Sequence, residues 1–162
     1  MATIDIQMSA EDWMVAATKG AIRQLQAIKQ DRMGKDHGST SQRGVSRRLG
    51  DSILGELGEM ATARALHSIQ TSFFESLRAA DIAGRYEVRT TDRDDGCLLL
   101  HRTSPDDAIY VLAVVQGLTV SLRGWIQAKD GKKGSNWRRG DPGCFFVPQS
   151  DLHPMAGVDF GK

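Results

Sequence analysis

Cysteine, long apolar runs and unbalanced charge are all scarce in this 162-residue sequence, and each scarcity excludes a class of protein. Cys97 and Cys144 are too few for a disulfide framework and lack metal-ligand spacing, so we expect a reducing cytoplasm. No apolar run approaches the ~20 residues that span a bilayer. The N-terminus, MATIDIQMSAEDW, has no basic stretch followed by an apolar one, so we predict no secretory signal and no membrane partner.

The charge balance and the glycine and histidine patterns exclude further functions. A net charge of +1 argues against an acidic mimic of DNA, which needs a large negative excess. No glycines form the G-x-x-x-x-G-K loop of nucleotide hydrolases. The four histidines have no ligand spacing, which argues against a zinc site. With 40% hydrophobic and 25% charged residues, the composition is typical of a globular protein, and the length suits one domain.

The first third of the chain predicts two helices separated by a basic loop. Ser9 to about Gln30 has a helical apolar stripe, with Ser9 as the N-cap and Asp12 three residues later. Residues 31–50 are rich in Gly, Ser and Arg, which predicts a surface loop. A second helix is expected from Asp51 or Ser52 to about His67.

The second half of the sequence predicts strands. The candidates, joined by short turn sequences, are Tyr86–Thr91, Cys97–Arg102, Ile109–Val115 and Leu118–Gln127. Because the connections are short, we expect an antiparallel meander. A polar loop over Lys129–Gly143 and a brief strand over Cys144–Val147 follow. The predicted class is a single α+β domain (residues 1–162), with N-terminal helices packed on a twisted, mixed, largely antiparallel β-sheet. Residues 1–30 form its first helix, 31–50 the basic loop and 51–155 the core.

The segment DIAGRYEVR, residues 81–89, carries the strongest functional signal. If Tyr86–Thr91 is a strand, Glu87 and Arg89 lie on one face, because side chains alternate with a period of two. The Ala83-Gly84 turn would then bring Asp81 close to them. Two carboxylates beside a cation can hold a divalent metal next to a phosphate. The alternative is that Asp81 only opens a turn and the other two are solvated.

Together with the helix segment GELGEMA, residues 55–61, these residues resemble the PD-(D/E)XK nuclease superfamily. The order is the family's own: an acid on a helix, then an acid, then an acid-x-base unit on a strand. Gly124-Trp125 and residues 146–149 are also similar to small nuclease-like proteins of phages and mobile elements. The resemblance covers residues 50–150 and implies a restriction-endonuclease-like core.

The resemblance also implies a mechanism and a cofactor. Asp81 and Glu87 would bind Mg²⁺ or Mn²⁺, and the Val88 carbonyl would add a ligand. Glu59 would reach the metal through water or bind a second ion. Arg89 stands where the family usually has lysine. Arginine stays charged, so it can stabilise the negative charge of the reacting phosphate but cannot act as a general base.

The helix acid has an alternative assignment. Glu59 lies away from the main apolar stripe of the second helix, on a side that a sheet could cover. Glu56, three residues earlier, is nearer that stripe and is the second candidate for the same role.

Two basic segments are the candidate DNA contacts. Lys29–Arg48 has six cations against two acids, and Lys129–Arg139 has five against one, with Trp137 available to stack on an unpaired base. The residues expected to bind DNA are Arg43, Arg47, Arg48, Lys129, Lys132, Lys133, Trp137, Arg138 and Arg139. The alternative is an ordinary solubilising surface.

The sequence therefore predicts metal-dependent hydrolysis of DNA phosphodiesters. The enzyme would be an endonuclease or exonuclease, of junction-resolving or restriction type, acting on double-stranded or branched DNA. A homodimer would be needed to cut both strands at once. The alternative function is a weak or inactive nuclease fold that binds nucleic acid or a protein. A third function is an interaction module whose acids are structural.

Overall fold

The computed structural model describes residues 3–29, 44–67, 82, 85–140 and 143–156. Its helices are α1 (Ala10–Lys29), α2 (Val45–Ala65) and the short α3 (Ala128–Gly131). Its strands are β1 (Ile4–Gln7), β2 (Tyr86–Thr91), β3 (Leu98–His101), β4 (Ile109–Gln116), β5 (Thr119–Gln127), β6 (Trp137–Arg138) and β7 (Cys144–Val147). The predicted α+β class, with helices packed on a mixed and largely antiparallel sheet, is confirmed. None of the helices in the described part of the chain is long and apolar enough to cross a membrane.

The strands form two sheets, and the predicted meander is wrong. Sheet A has the order β1-β5-β4-β2, and sheet B has the order β3-β7-β6. β2 runs parallel to β4, whereas β4 and β5 are antiparallel. Segment 92–108 is long enough for parallel pairing, which needs a crossover of about a dozen residues. It crosses through sheet B, where β3 pairs with β7 instead of β2.

Sheet A separates two apolar cores. The core on its helical side includes Leu57 and Ala61 of α2 and Val111 of β4. The core on its other side includes Leu100 of β3 and Leu112 of β4. Residues 110–115 are all buried, so β4 contributes side chains to both cores. Sheet B therefore covers the face of sheet A that the helices leave open.

A β-bulge in β5 keeps the apolar side chains on the correct faces. Leu112 pairs with Gly124 and Ala113 pairs with Leu122, so Arg123 is an extra residue in the register. Because of this extra residue, Leu122 and Trp125 both face the helices although they are three positions apart. Gly124 has a positive φ of 151° at the bulge, a conformation that favours glycine.

The start of α1 is confirmed as predicted. The backbone N–H of Ser9 donates to Asp12 Oδ2 at 2.7 Å, and the N–H of Asp12 donates to Ser9 Oγ at 3.2 Å. Arg64 of α2 donates to the same Asp12 carboxylate, at 2.8 Å for Nη1, and this hydrogen bond lowers the Asp12 pKa to about 2. The cap of α1 is thus also a link to the last turn of α2.

The predicted start of α2 is wrong. The helix begins at Val45 after Gly44, so neither Asp51 nor Ser52 caps it and the last part of the predicted 31–50 loop is helical. Ser52 Oγ donates instead to the carbonyl of Arg48, one turn earlier, at 2.9 Å. This back-bonding satisfies the serine inside a helix, and arginine and leucine are good helix formers. The predicted 129–143 loop is also partly regular, because it contains most of α3, a 3₁₀ turn at Gly134–Asn136 and β6.

Helix α2 approaches sheet A most closely at Gly58. A Cβ built on Gly58 would lie 2.1 Å from Thr90 Oγ1 on β2 and 3.2 Å from the Cβ of Ala113 on β4. No side chain fits at 2.1 Å, so glycine sets the distance between the helix and the sheet here. Gly55, one turn earlier, has no atom within 4 Å of a built Cβ.

We predict opposite effects of alanine at these two glycines. Gly58→Ala should lower the free energy of unfolding by about 1–3 kcal/mol, because the new methyl group overpacks the contact with Thr90. Gly55→Ala is the matched control and should raise it by up to about 1 kcal/mol, since alanine favours a helix over glycine. Urea unfolding followed by circular dichroism measures both. Equal effects of the two substitutions would contradict the close contact.

Candidate functional site

Glu87 and Arg89 lie side by side on the edge strand of sheet A. Tyr86 and Val88 belong to the core on the helical side, so Glu87 and Arg89 project from the other face. Arg89 Nη1 is 3.5 Å from Glu87 Oε2. Both side chains are partly buried, and β2 has a neighbouring strand on one side only in the sheet as described. The strand therefore presents an acid and a base together at an accessible edge.

Arg89 also connects the two sheets. Its Nε donates to the carbonyl of Leu99 on β3 at 3.3 Å, and its guanidinium carbon lies 5.0 Å from the centroid of the Tyr110 ring. Arg89 Nη1 donates to the carbonyl of Val88 at 3.3 Å. The Val88 carbonyl, predicted as a metal ligand, thus accepts a hydrogen bond from the neighbouring arginine. The guanidinium is held in a fixed position beside Glu87.

Glu56 and Glu59 are both buried between the two long helices, with 1% and 4% of their surface exposed. Arg23 of α1 donates from Nη1 and Nη2 to the two oxygens of Glu59 at 3.0 and 3.1 Å. The Nε of Arg23 lies 2.7 Å from Glu56 Oε1, and Lys19 Nζ lies 3.3 Å from Glu56 Oε2. Two acids of α2 are therefore neutralised by two bases of α1. Glu59 is therefore buried, and Arg23 of α1 forms part of its cover.

The carboxylates of Glu59 and Glu87 interact electrostatically. Burial raises the pKa of Glu87 above its ordinary value, Arg89 opposes this shift, and the negative charge of Glu59 adds to it. Each of these causes acts on the charged form of Glu87. A further cation near Glu87 would relieve both the desolvation and the repulsion from Glu59.

Asp81 lies outside the described residues, so its predicted place beside Glu87 stays a prediction. Its neighbour Ile82 is buried and pairs with Tyr86 through two backbone hydrogen bonds of 3.0 and 3.1 Å. The backbone of Ile82 is therefore bonded to Tyr86, the first residue of β2. Within the described ranges, no group of three or more His, Cys, Asp or Glu side chains is placed to hold a metal ion.

The predicted DNA-binding cations fall into different environments. Arg47 and Arg48 are in the first turn of α2, whereas Arg43 lies outside the described residues. Lys129, Arg138 and Arg139 are exposed.

Lys132 and Lys133 have structural partners. Lys132 Nζ donates to the carbonyls of Arg102 and Ser104 and lies 2.7 Å from Asp106 Oδ1, so it holds the turn after β3. Lys133 Nζ lies 3.6 Å from Asp151 Oδ2. Their role in binding DNA stays a prediction, but both are already engaged within the fold.

Trp137 packs against three neighbours. The guanidinium carbon of Arg102 lies over its ring, 4.2 Å from the centroid, and the Phe145 ring meets it edge-on with centroids 4.9 Å apart. Gly143 approaches so closely that a Cβ there would lie 2.5 Å from the Trp137 ring. A base cannot use the ring face under Arg102 unless Arg102 moves or itself becomes the stacking surface.

Comparison with models of known protein families, with curated proteins and with solved structures found no significant match.

Sequence reasoning missed Lys19, Arg23 and Arg102. Lys19 and Arg23 are four residues apart on α1 and face Glu56 and Glu59, which are three apart on α2. That spacing places each pair on one side of its helix. Two bases on one helix and two acids on the other are a sequence pattern that could have predicted the packing of α1 against α2. Arg102 gave no comparable signal, because its contact with Trp137 joins segments distant in sequence.

We predict that Glu87→Gln stabilises the protein at neutral pH. The raised pKa means that, between about pH 4.3 and the folded-state pKa, the folded protein binds more protons than the unfolded chain. The contribution of Glu87 to the free energy of unfolding thus falls as the pH rises through this window. Glutamine cannot ionise, so Glu87→Gln removes the penalty for a buried charge. The gain should disappear below pH 4, as measured by urea unfolding at several pH values.

Glu11→Gln is the control with the opposite sign. The Glu11 carboxylate is fully exposed, and its pKa is lowered by a backbone hydrogen bond and by Ser9. Its amide variant should be slightly less stable than the native protein at pH 7. A loss of stability in Glu87→Gln at pH 7 would contradict the burial of that charge.

Proposed function

We propose that this protein is a metal-dependent deoxyribonuclease using Mg²⁺ or Mn²⁺, with Glu87 at the centre of its site. The observation that supports this most is the environment of Glu87. It is a partly buried carboxylate with a raised pKa, beside the fixed guanidinium of Arg89 and within the field of Glu59. Carboxylates whose pKa is raised by burial and by a neighbouring acid are frequent at functional sites.

The residues present fit a metal held by few protein ligands. Carboxylate and carbonyl oxygens are the donors that Mg²⁺ prefers, and the ion usually keeps several of its waters. Glu87 would bind it directly, with Asp81 as the second carboxylate implied by the resemblance. Glu59 has both oxygens on Arg23, which suits contact through water better than direct binding. When bound, the ion would polarise a phosphodiester oxygen and lower the pKa of water.

Arg89 has the role of a phosphate clamp in this proposal. Its hydrogen bond to Leu99 and its position over Tyr110 fix the guanidinium before substrate arrives. The side chain therefore loses little conformational entropy when substrate binds. Because arginine stays protonated, it stabilises negative charge and does not remove a proton from water. We therefore propose slow cleavage compared with an enzyme that has lysine here.

The exposed cations would hold the DNA backbone. The exposed cations of the second basic segment are Lys129, Lys133, Arg138 and Arg139. Lys133 also lies 3.6 Å from Asp151, and Arg138 Nη1 donates to the carbonyls of Ser135 and Trp137. Contacts between such cations and phosphates release counterions and position the nucleic acid without reading its sequence. The restriction-endonuclease-like core, the cytoplasmic location, the phage or mobile-element origin and the homodimer belong to the same proposal.

A second candidate is a nuclease-like fold that binds nucleic acid without cutting it. The hydrogen bond from Arg89 to the Val88 carbonyl favours this alternative, since that carbonyl is a proposed ligand. The bidentate hold of Arg23 on Glu59 favours it as well.

We predict that the native protein nicks DNA in Mn²⁺ or Mg²⁺ but not in EDTA. Glu87→Gln should reduce cleavage at least about 100-fold, because one missing electrostatic group at a reacting centre costs roughly that much. Glu87→Gln should also abolish the Mn²⁺-dependent rise in melting temperature, a readout independent of activity. Asp81→Ala should behave in the same way.

Glu11→Gln, an exposed acid on α1, is the control and should retain cleavage. Absence of metal-dependent cutting by the native protein, on duplex, branched and single-stranded DNA alike, would leave only the binding alternative.

We also predict a change in the salt dependence of DNA binding. The double substitution Arg138→Ala with Arg139→Ala should reduce the slope of log K against log salt by nearly 2, about 0.9 for each phosphate contact. Arg93→Ala is the control, because Asp95 already binds that guanidinium at 3.0 and 3.1 Å. Equal slopes for both variants would show that the second basic segment does not contact phosphates. Fluorescence anisotropy from 50 to 300 mM salt measures the slopes.

A further inference from the structure

A cavity of about 430 Å³ opens beside sheet B, away from the acids of α2. It is lined by Arg102, Lys132, Gly134, Trp137 and Phe145. The volume lies within the range of roughly 300–1,000 Å³ that is common for small-molecule sites. Its walls combine two aromatic rings with two cationic side chains, which is a surface suited to a flat, polarisable group next to an anion.

The floor of this cavity is built in advance. Phe145 and Gly143 pack against Trp137, and Arg102 lies over the Trp137 ring at 4.2 Å. Arg102 is exposed, so the guanidinium extends the aromatic surface toward solvent. Guanidinium planes and aromatic rings are the surfaces on which unpaired bases stack in nucleic-acid complexes.

The charge around the cavity matches a nucleic acid. Lys132 lines the cavity, and Lys129, Arg138 and Arg139 are exposed on the neighbouring segments. Lys132 Nζ lies 2.7 Å from Asp106 Oδ1, so the charge of this acid is neutralised by Lys132. The positive charge left at the rim would attract the phosphates on either side of a base inside the cavity.

The cavity is also connected to the Glu87 site through β3. Arg89 donates to the carbonyl of Leu99, and Arg102 follows three residues later. At ~3.3 Å per residue, this places Arg102 about 10 Å along the chain from the carbonyl that fixes Arg89.

We infer that this cavity binds an unpaired nucleobase, which stacks on the Arg102 guanidinium above Trp137. The inference rests on the proposed function and narrows its substrate to DNA with a single-stranded or unpaired segment. Arg102 is the residue that gives this preference, because it provides both the planar surface and a charge.

The test compares binding of single-stranded and duplex DNA in EDTA, so that no cleavage occurs. Arg102→Lys keeps the charge but removes the planar group. It should weaken binding of a fluorescein-labelled 12-nucleotide oligothymidine about tenfold, the lower part of the range for loss of one stacked base, and duplex binding less than twofold. Lys129→Ala is the matched control: it removes an exposed charge and should weaken both DNAs by the same factor.

A second measurement follows the tryptophan directly. Oligothymidine should quench the emission of the native protein, and Trp137→Phe, which keeps a ring in place, should lose that quenching. An oligomer of abasic sugar-phosphates should not quench. Equal loss on both DNAs for Arg102→Lys, or equal binding of abasic and normal oligomers, would overturn the inference and leave a simple charged surface.

The two proposals fail separately. If the native protein does not cut DNA but Arg102→Lys selectively loses single-stranded binding, the cavity stands and the nuclease proposal falls. If metal-dependent cutting by Glu87 is intact and no preference for unpaired DNA exists, only the cavity proposal falls.

Discussion

The close contact between Gly58 and Thr90 sets how near α2 lies to sheet A. Because Gly58 has no side chain, α2 lies directly against the side chains of Thr90 on β2 and Ala113 on β4. Glu59 follows Gly58 directly and Glu56 precedes it by two residues, so the contact also sets how far these acids are from Glu87. Because electrostatic interaction falls with distance, a larger residue at position 58 would weaken the influence of Glu59 on the Glu87 pKa.

Arg23 gives the helix pair a way to tolerate changes in charge. Its Nε contacts Glu56 at 2.7 Å, while its two Nη atoms hold Glu59. A planar fork with five donors can hold both oxygens of one carboxylate and one oxygen of another, whereas lysine has three donors on a single nitrogen. If Glu59 turned toward a metal or a water near Glu87, Arg23 would still be held by Glu56. The buried acids would then remain partly neutralised.

Local patterns in the sequence predicted much of this structure. The Ser9–Asp12 cap, the bounds of β2 and β7 and the shared face of Glu87 and Arg89 follow from capping chemistry and the period of two. The pairing of the strands could not be predicted, because the length of a turn does not show that β3 belongs to a second sheet. β1 was missed since Ile4–Gln7 is only four residues long and gains its order by pairing with β5. The Arg102–Trp137 contact likewise depends on which segments meet in space.

β4 contributes side chains to both cores. Val111, Ala113 and Val115 lie on the helical side, and Tyr110 and Leu112 lie on the side of sheet B. Neither the helical layer nor sheet B can separate from this strand without exposing apolar surface to water. The backbone amides of β4 should therefore exchange with solvent only in global opening events, and the two halves should melt in one cooperative transition. The hydrogen bond from Arg89 to Leu99 joins the two sheets. The site around it should therefore open only when the whole molecule unfolds.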